Sequence, residues 1–180
     1  MARFFILFVV ILVTLFAAEL TPPVQSALVV PWTQGLVHIS ASIITFFDPR
    51  VAVFGNVLQS TTNGFALSIR SGCNGVEAAM ILIAAMLAFP ASWKHRLIGI
   101  VAGLFAVQTL NIVRVISLFY LGQWNMTVFD WAHSYLWPAL IMLDVLIVWM
   151  IWIRTLPRVS SGLVRSPAGA DAGLQQAPAR

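Results

Sequence analysis

The chain has 180 residues, 60% of them hydrophobic and 9% charged, against roughly 25% charged residues in ordinary soluble domains. A water-soluble fold cannot hide that much apolar surface, and the apolar residues gather into runs approaching the ~20 residues that cross a hydrocarbon core about 30 Å thick. The net charge of +4 comes from basic residues such as Arg3, Lys94, Arg96, Arg154, Arg158, Arg165 and Arg180, scattered between and beyond those runs. That distribution is topological and excludes a nucleic-acid patch, so lipid is the expected surrounding.

The first apolar run, Phe4 to Ala18, follows Met1-Ala2-Arg3 and reads as a transmembrane helix or a signal peptide. The retained helix, over about 4–20, is favoured. Cleavage after Ala17 or Ala18 would put Leu15 or Phe16 where signal cleavage prefers a small residue.

From Glu19 to Ser71 the sequence is mixed and interrupted by Pro22-Pro23, Pro31 and Pro49. No uninterrupted crossing is expected there, and the region reads as outward-facing. Within it, Trp32 to Phe47 carries Leu36, Val37, Ile39, Ile43, Ile44 and Phe47 at helical spacing, which predicts a short amphipathic helix against the membrane surface. Val51 to Gln59 and Phe65 to Ile69 flank Thr61-Thr62-Asn63-Gly64, whose Asn-Gly pair predicts a β-hairpin delivering the chain to Cys73.

Further spans are expected over about 76–89, 97–121 and 131–153. The basic residues Lys94, Arg96, Arg154 and Arg158 then fall on one side, which the charge rule makes cytoplasmic, with both termini inside. The sequence after Pro157, rich in Ser, Gly, Ala, Pro and Gln, lacks apolar periodicity and reads as a disordered cytoplasmic tail over 157–180. The expected architecture is therefore an all-α membrane protein: one embedded domain over 1–156, about four transmembrane helices, the amphipathic helix and the hairpin.

Cys73 is the only cysteine, so an internal disulfide and a CxxC pair are both excluded, and the thiol is either inert packing or a lone reactive group. Arg114 interrupts the third span, where an arginine costs at least ~2.5 kcal/mol and calls for a partner or a function. It lies 17 residues beyond Leu97, about 26 Å along a helix and so near the outer surface. His133 opens the fourth span at the same level, and Cys73 immediately precedes the second. Three stretches of sequence thus bring Cys, Arg and His to one membrane face, although depth alone leaves lateral contact open. Such a trio suits acyl transfer: a thiolate attacks a carbonyl, an imidazole moves protons and a guanidinium steadies the oxyanion. A helix beginning at Cys73 would also favour the thiolate through its dipole.

Around the trio, Asn74 and Glu77 have the spacing of a capping box, with Asn74 as N-cap and Glu77 reaching back to its N–H. Asn111, one helical turn before Arg114, is a candidate partner for the guanidinium or the substrate. Asp130 bears the same relation to His133 or caps the fourth helix. Asp144, 14 residues beyond Asp130 and about 21 Å deeper, is too far toward the cytoplasm to join them. His38, His95 and His133 fall on different segments, which disfavours a haem or quinone site; no cofactor and no metal are expected. A noncatalytic assembly or transport protein, with Arg114 paired to Glu77 to lock helices, is the rival reading.

Ser71-Gly72-Cys73-Asn74-Gly75-Val76-Glu77, then Asn111-Ile112-Val113-Arg114-Val115, then His133 opening a span, resemble the exosortase/archaeosortase family over roughly Phe65 to Ile153. With about four spans against about eight in many members, the chain is similar to a compact form such as exosortase H. The resemblance implies a membrane-embedded cysteine transpeptidase or protease of the prokaryotic cytoplasmic membrane, its site facing the periplasm or exterior. Its substrates would be exported proteins bearing a C-terminal motif, a transmembrane helix and a basic cluster. It also implies Cys73 as nucleophile, Arg114 as oxyanion or substrate stabiliser and His133 as proton-transfer residue.

Overall fold

The computed structural model describes residues 2–156; the expected tail over 157–180 lies outside them. Five helices and a small sheet follow in the order α1 (Ala2–Glu19), α2 (Pro22–Phe47), β1 (Val51–Phe54), β2 (Val57–Ser60), β3 (Ala66–Ser68), α3 (Val76–Ala88), α4 (Trp93–Trp124) and α5 (Met126–Thr155). The protein is an all-α membrane protein carrying one three-stranded antiparallel sheet.

Among the described residues four helices are, by length and composition, long and apolar enough to cross a membrane: α1, α2, α4 and α5. Two helices differ in length from the expected elements. α3, where the second span was expected, has only 13 residues, about 20 Å of helix against a core of about 30 Å. It stops because Pro90 holds Phe89 in an extended conformation (φ −76°, ψ 138°). Conversely, the helix read from Trp32 begins ten residues earlier, and α2 runs unbroken through three prolines. Pro22 and Pro23 occupy its first turn, where a missing N–H costs nothing. Pro31 follows a π-helical turn over Gln25–Val29, whose wider winding accommodates the proline ring. Along α2, Leu36, Val37, Ala41 and Ile44 are buried against the sheet and α4, while Trp32, Ile39, Ile43, Phe46 and Phe47 are exposed.

α1, α3, α4 and α5 pack into one bundle. Close approach of α4 depends on the Gly99-x-x-x-Gly103 pair. A Cβ on Gly99 would strike the Trp152 indole, and one on Gly103 would lie 2.5 Å from Leu82 Cδ2 and 3.2 Å from Val148 Cγ1. Arg3, Lys94, Arg96 and Arg154 lie at one end, whereas Arg50, Arg70 and Arg114 lie toward the sheet. Phe4 at the start of α1 packs on Phe89 and Trp149. Arg96 Nη2 donates to Phe89 O at 2.8 Å, and Trp152 Nε1 donates to His95 O at 3.0 Å.

At the opposite end α4 outruns the bundle. Its 32 residues amount to about 48 Å, and the surplus beyond Arg114 carries the sheet. Val115 and Phe119 share a core with Leu36, Val37, Ile44, Leu58 and Ile69, and the Phe65 ring fills the space a side chain at Gly122 would need. Asn125 both ends α4, through its N–H to Leu121 O at 2.8 Å, and caps α5, accepting from Thr127 N and Val128 N at 2.9 and 3.3 Å. α5 thus starts five residues earlier than the expected span, and Asp130 lies within it instead of capping it.

The sheet has the order β1-β2-β3. The expected turn before Cys73 joins β2 to β3, with Gly64 at φ +72° and Ser60 N donating to Phe65 O at 2.8 Å. The run Val51 to Gln59 does not stay one strand. Gly55-Asn56 folds it into a second hairpin, closed by the Phe54 and Val57 pair with Gly55 at φ +61°.

Candidate active site

The loop from Arg70 to Gly75 leaves β3 and turns sharply into α3. Gly72 (φ +86°) and Gly75 (φ +74°) both adopt left-handed backbone that other residues resist. Between them stands Cys73, half-buried, its N–H bonded to Arg70 O at 2.9 Å.

The three residues that the sequence placed at one depth are in contact. Cys73 Sγ lies 3.2 Å from His133 Nε2 and accepts from Arg114 Nη2 at 3.4 Å. Arg114, almost wholly buried on α4, donates through Nη1 to Gly72 O at 3.4 Å. One guanidinium therefore binds both the thiol and the main chain beside it. His133 sits on a π-helical turn, Ala132–Leu136, within α5. Phe129, one turn earlier on the same helical face, stacks on the imidazole at 5.7 Å between centroids and 7° between planes.

Asn74, Glu77 and Asn111 lie around the loop in roles that differ in detail from those expected. The α3 N-cap is Gly75, not Asn74. The Asn74 side chain still accepts from Val76 N at 3.1 Å, and its amide donates to Thr33 Oγ1 on α2 at 3.0 Å. Glu77 reaches past Asn74 to accept from Gly72 N at 2.5 Å. Among the described residues the only ion pair is Arg50–Asp48, so the helix lock between Arg114 and Glu77 is not formed. Asn111 is fully buried, but it packs on Gly75 instead of bonding Arg114. A Cβ on Gly75 would lie 3.0 Å from Asn111 Nδ2 and 2.8 Å from Gln108 Nε2, which itself donates to Gly75 O at 3.4 Å.

Sequence reasoning missed Thr33, Gln108 and Phe129 as neighbours of the site. Phe129 had a signal, its four-residue spacing from His133. Thr33 had none, because its partner lies 41 residues away across a tertiary contact.

The electrostatics differ from those of a thiol at a helix start. α3 begins three residues after Cys73, and burial pushes the Cys73 thiol above the ordinary thiol range. The Arg114 charge pulls it down and the Glu77 charge adds to the rise. His133 Nε2 stands 3.2 Å from this sulfur. Its cleft, lined by Leu67, Ser68 and Ile69 together with Cys73, Arg114 and His133, holds about 20 Å³, room for roughly one water. His38 lies on α2 and His95 at the basic end of α4, on other elements than the α5 that carries His133.

A family model described as transmembrane exosortase matches residues 1–151 of the chain. Comparisons with curated proteins and with solved structures gave no match.

Proposed function

Because the chain belongs to the transmembrane exosortase family, we propose that it is a membrane-embedded cysteine transpeptidase or protease, cutting a C-terminal sorting signal from exported proteins. The observation that carries this reading is the paired contact of one sulfur: His133 Nε2 at 3.2 Å and Arg114 Nη2 at 3.4 Å.

As Sγ attacks the scissile carbonyl carbon, its proton passes to Nε2, with Nδ1 holding the other ring proton. The carbonyl oxygen gains negative charge beside Arg114, whose guanidinium is pinned by Gly72 O and is worth most in a buried site. Collapse of the tetrahedral adduct breaks the C–N bond, the imidazolium gives its proton to the departing amine, and a thioester remains on Cys73. His133 then takes the proton of an acceptor nucleophile as it attacks the thioester, the C–S bond breaks, and the imidazolium returns the proton to Sγ. An amine or hydroxyl makes the reaction a transpeptidation or acyl transfer, and water makes it hydrolysis.

The position of the trio suits this chemistry. It lies opposite the end that carries Arg3, Lys94, Arg96 and Arg154, and by the charge rule that basic end is cytoplasmic. The site then faces the periplasm or exterior of a prokaryotic cytoplasmic membrane. A substrate whose own helix spans that membrane, with a basic cluster inside and a short motif outside, presents the motif at this level.

The test is a Cys73→Ala strain, with the membrane proteome read by mass spectrometry. Exported proteins with a C-terminal apolar helix and basic cluster are expected to accumulate at full length. If all such proteins are shortened and released as in the wild type, the proposal fails. In His133→Ala protein, which lacks the group that takes the thiol proton, the same proteins should also accumulate at full length, without an acyl adduct on Cys73.

A further inference from the structure

β3 stands at the edge of the sheet, paired with β2 on one side and, among the described residues, with no strand on the other. Its register shows what the open side offers. Ser60 N donates to Phe65 O at 2.8 Å and Ile69 N donates to Asn56 O at 2.9 Å, so residues 65, 67 and 69 turn their main-chain groups toward β2. In an antiparallel ladder the intervening residues turn theirs the opposite way. The N–H and C=O groups of Ala66 and Ser68 therefore face outward from the open edge. Both residues are exposed and small, and the edge carries none of the usual blocks, such as a lysine, a proline or a bulge. β1, at the far side of the sheet, packs against α2.

The edge also runs into the reacting atoms. Leu67, Ser68 and Ile69 line the same small cleft as Cys73, Arg114 and His133, and the chain passes from Ser68 to Cys73 in five residues. A cleft of about 20 Å³ cannot enclose a peptide, so a substrate must lie along its rim. At membrane level a peptide in extended form also needs partners for its own main chain, because unmet N–H and C=O groups are costly there.

We infer that the segment of the substrate just outside its membrane helix binds as a fourth strand on β3, hydrogen-bonded to the main chain of Ala66 and Ser68, with its scissile carbonyl brought to Cys73 Sγ. The inference rests on the proposed peptide cleavage and names how that substrate is gripped. Recognition through main chain accepts varied side chains at alternate positions and demands an extended segment with N–H groups at the positions that face β3.

The test uses the full-length protein in its membrane. Ser68→Pro and Ala66→Pro each remove one outward N–H without touching the bonds to β2. Each is expected to slow cleavage of the proteins that accumulate in the Cys73→Ala strain by about tenfold, the order expected from lost main-chain bonds. Alkylation of Cys73 by iodoacetamide should stay at the wild-type rate, which shows that the thiol site is intact. Normal cleavage in both proline variants, with cleavage still abolished by Cys73→Ala, overturns the strand inference alone; normal cleavage in Cys73→Ala overturns the enzymatic reading as well. Should a proline variant fail to fold, a photo-crosslinking residue at position 66 in the Cys73→Ala background decides the matter. It should capture those same uncleaved proteins through the segment before their membrane helix, and failure to capture them there overturns the inference.

Discussion

Thr33 on α2 accepts a 3.0 Å hydrogen bond from the Asn74 amide, beside the nucleophile loop, while donating its own hydroxyl to Val29 O at 2.7 Å. Both side chains are buried. Thr33→Val keeps the shape and leaves the Asn74 amide without its partner. A loss of about 1–3 kcal/mol is expected, read as a lower unfolding temperature in detergent, with Thr33→Ser retaining most of the stability.

The Cys73 thiol offers a pH test. With its pKa raised by burial, the thiolate fraction at neutral pH is small, and the alkylation rate should climb only above the ordinary thiol range. Glu77→Gln removes a charge that raises this pKa but keeps an oxygen for Gly72 N, so the rate profile should move to lower pH. Arg114→Met removes a charge that lowers it, so the profile should move to higher pH. Profiles that fail to separate in these directions would contradict the charge arrangement.

Gly75→Ala should fail for two reasons. It places a side chain at φ +74°, worth about 1–2 kcal/mol, and sets a Cβ 2.8 Å from Gln108 Nε2. Adding Gln108→Ala relieves that contact but neither the strained φ nor the 3.0 Å approach to Asn111 Nδ2, so partial recovery of stability is the expected result, measured by thermal unfolding.

Pro138 follows the π-helical turn that holds His133, as Pro31 follows the one in α2. In a regular α-helix the Pro138 ring would clash with the carbonyl of Ser134, four residues earlier. Pro138→Ala lets the turn rewind to α-helix and swing the imidazole from the thiol. Substrate cleavage should fall about tenfold or more, as when a general base is misplaced, without loss of thermal stability. Unchanged cleavage would show that the π turn does not aim His133.

Much of this molecule was legible before any tertiary structure. Apolar run length marks a membrane protein because the bilayer core sets how much helix must be apolar. The charges sort its ends, and Asn63-Gly64 marks the hairpin because few residues tolerate positive φ. Helical rise alone puts Cys73, Arg114 and His133 at one depth.

Other features could not be read from local pattern. Pro31 looked like a helix breaker, yet a π turn absorbs it, and Gly55-Asn56 split what read as one strand. The second expected span has only 13 helical residues, which pack against α1, α4 and α5.

Cys73 itself marks the division. Its uniqueness and its level in the membrane follow from the one-dimensional sequence, since rise per residue is a property of a single helix. Its bonds to Arg114 and His133, the tie through Asn74 to Thr33 and the open edge of β3 follow only from tertiary structure. Lateral packing joins residues 41 and 60 positions apart from the thiol, and no local periodicity encodes which faces of separate helices will meet.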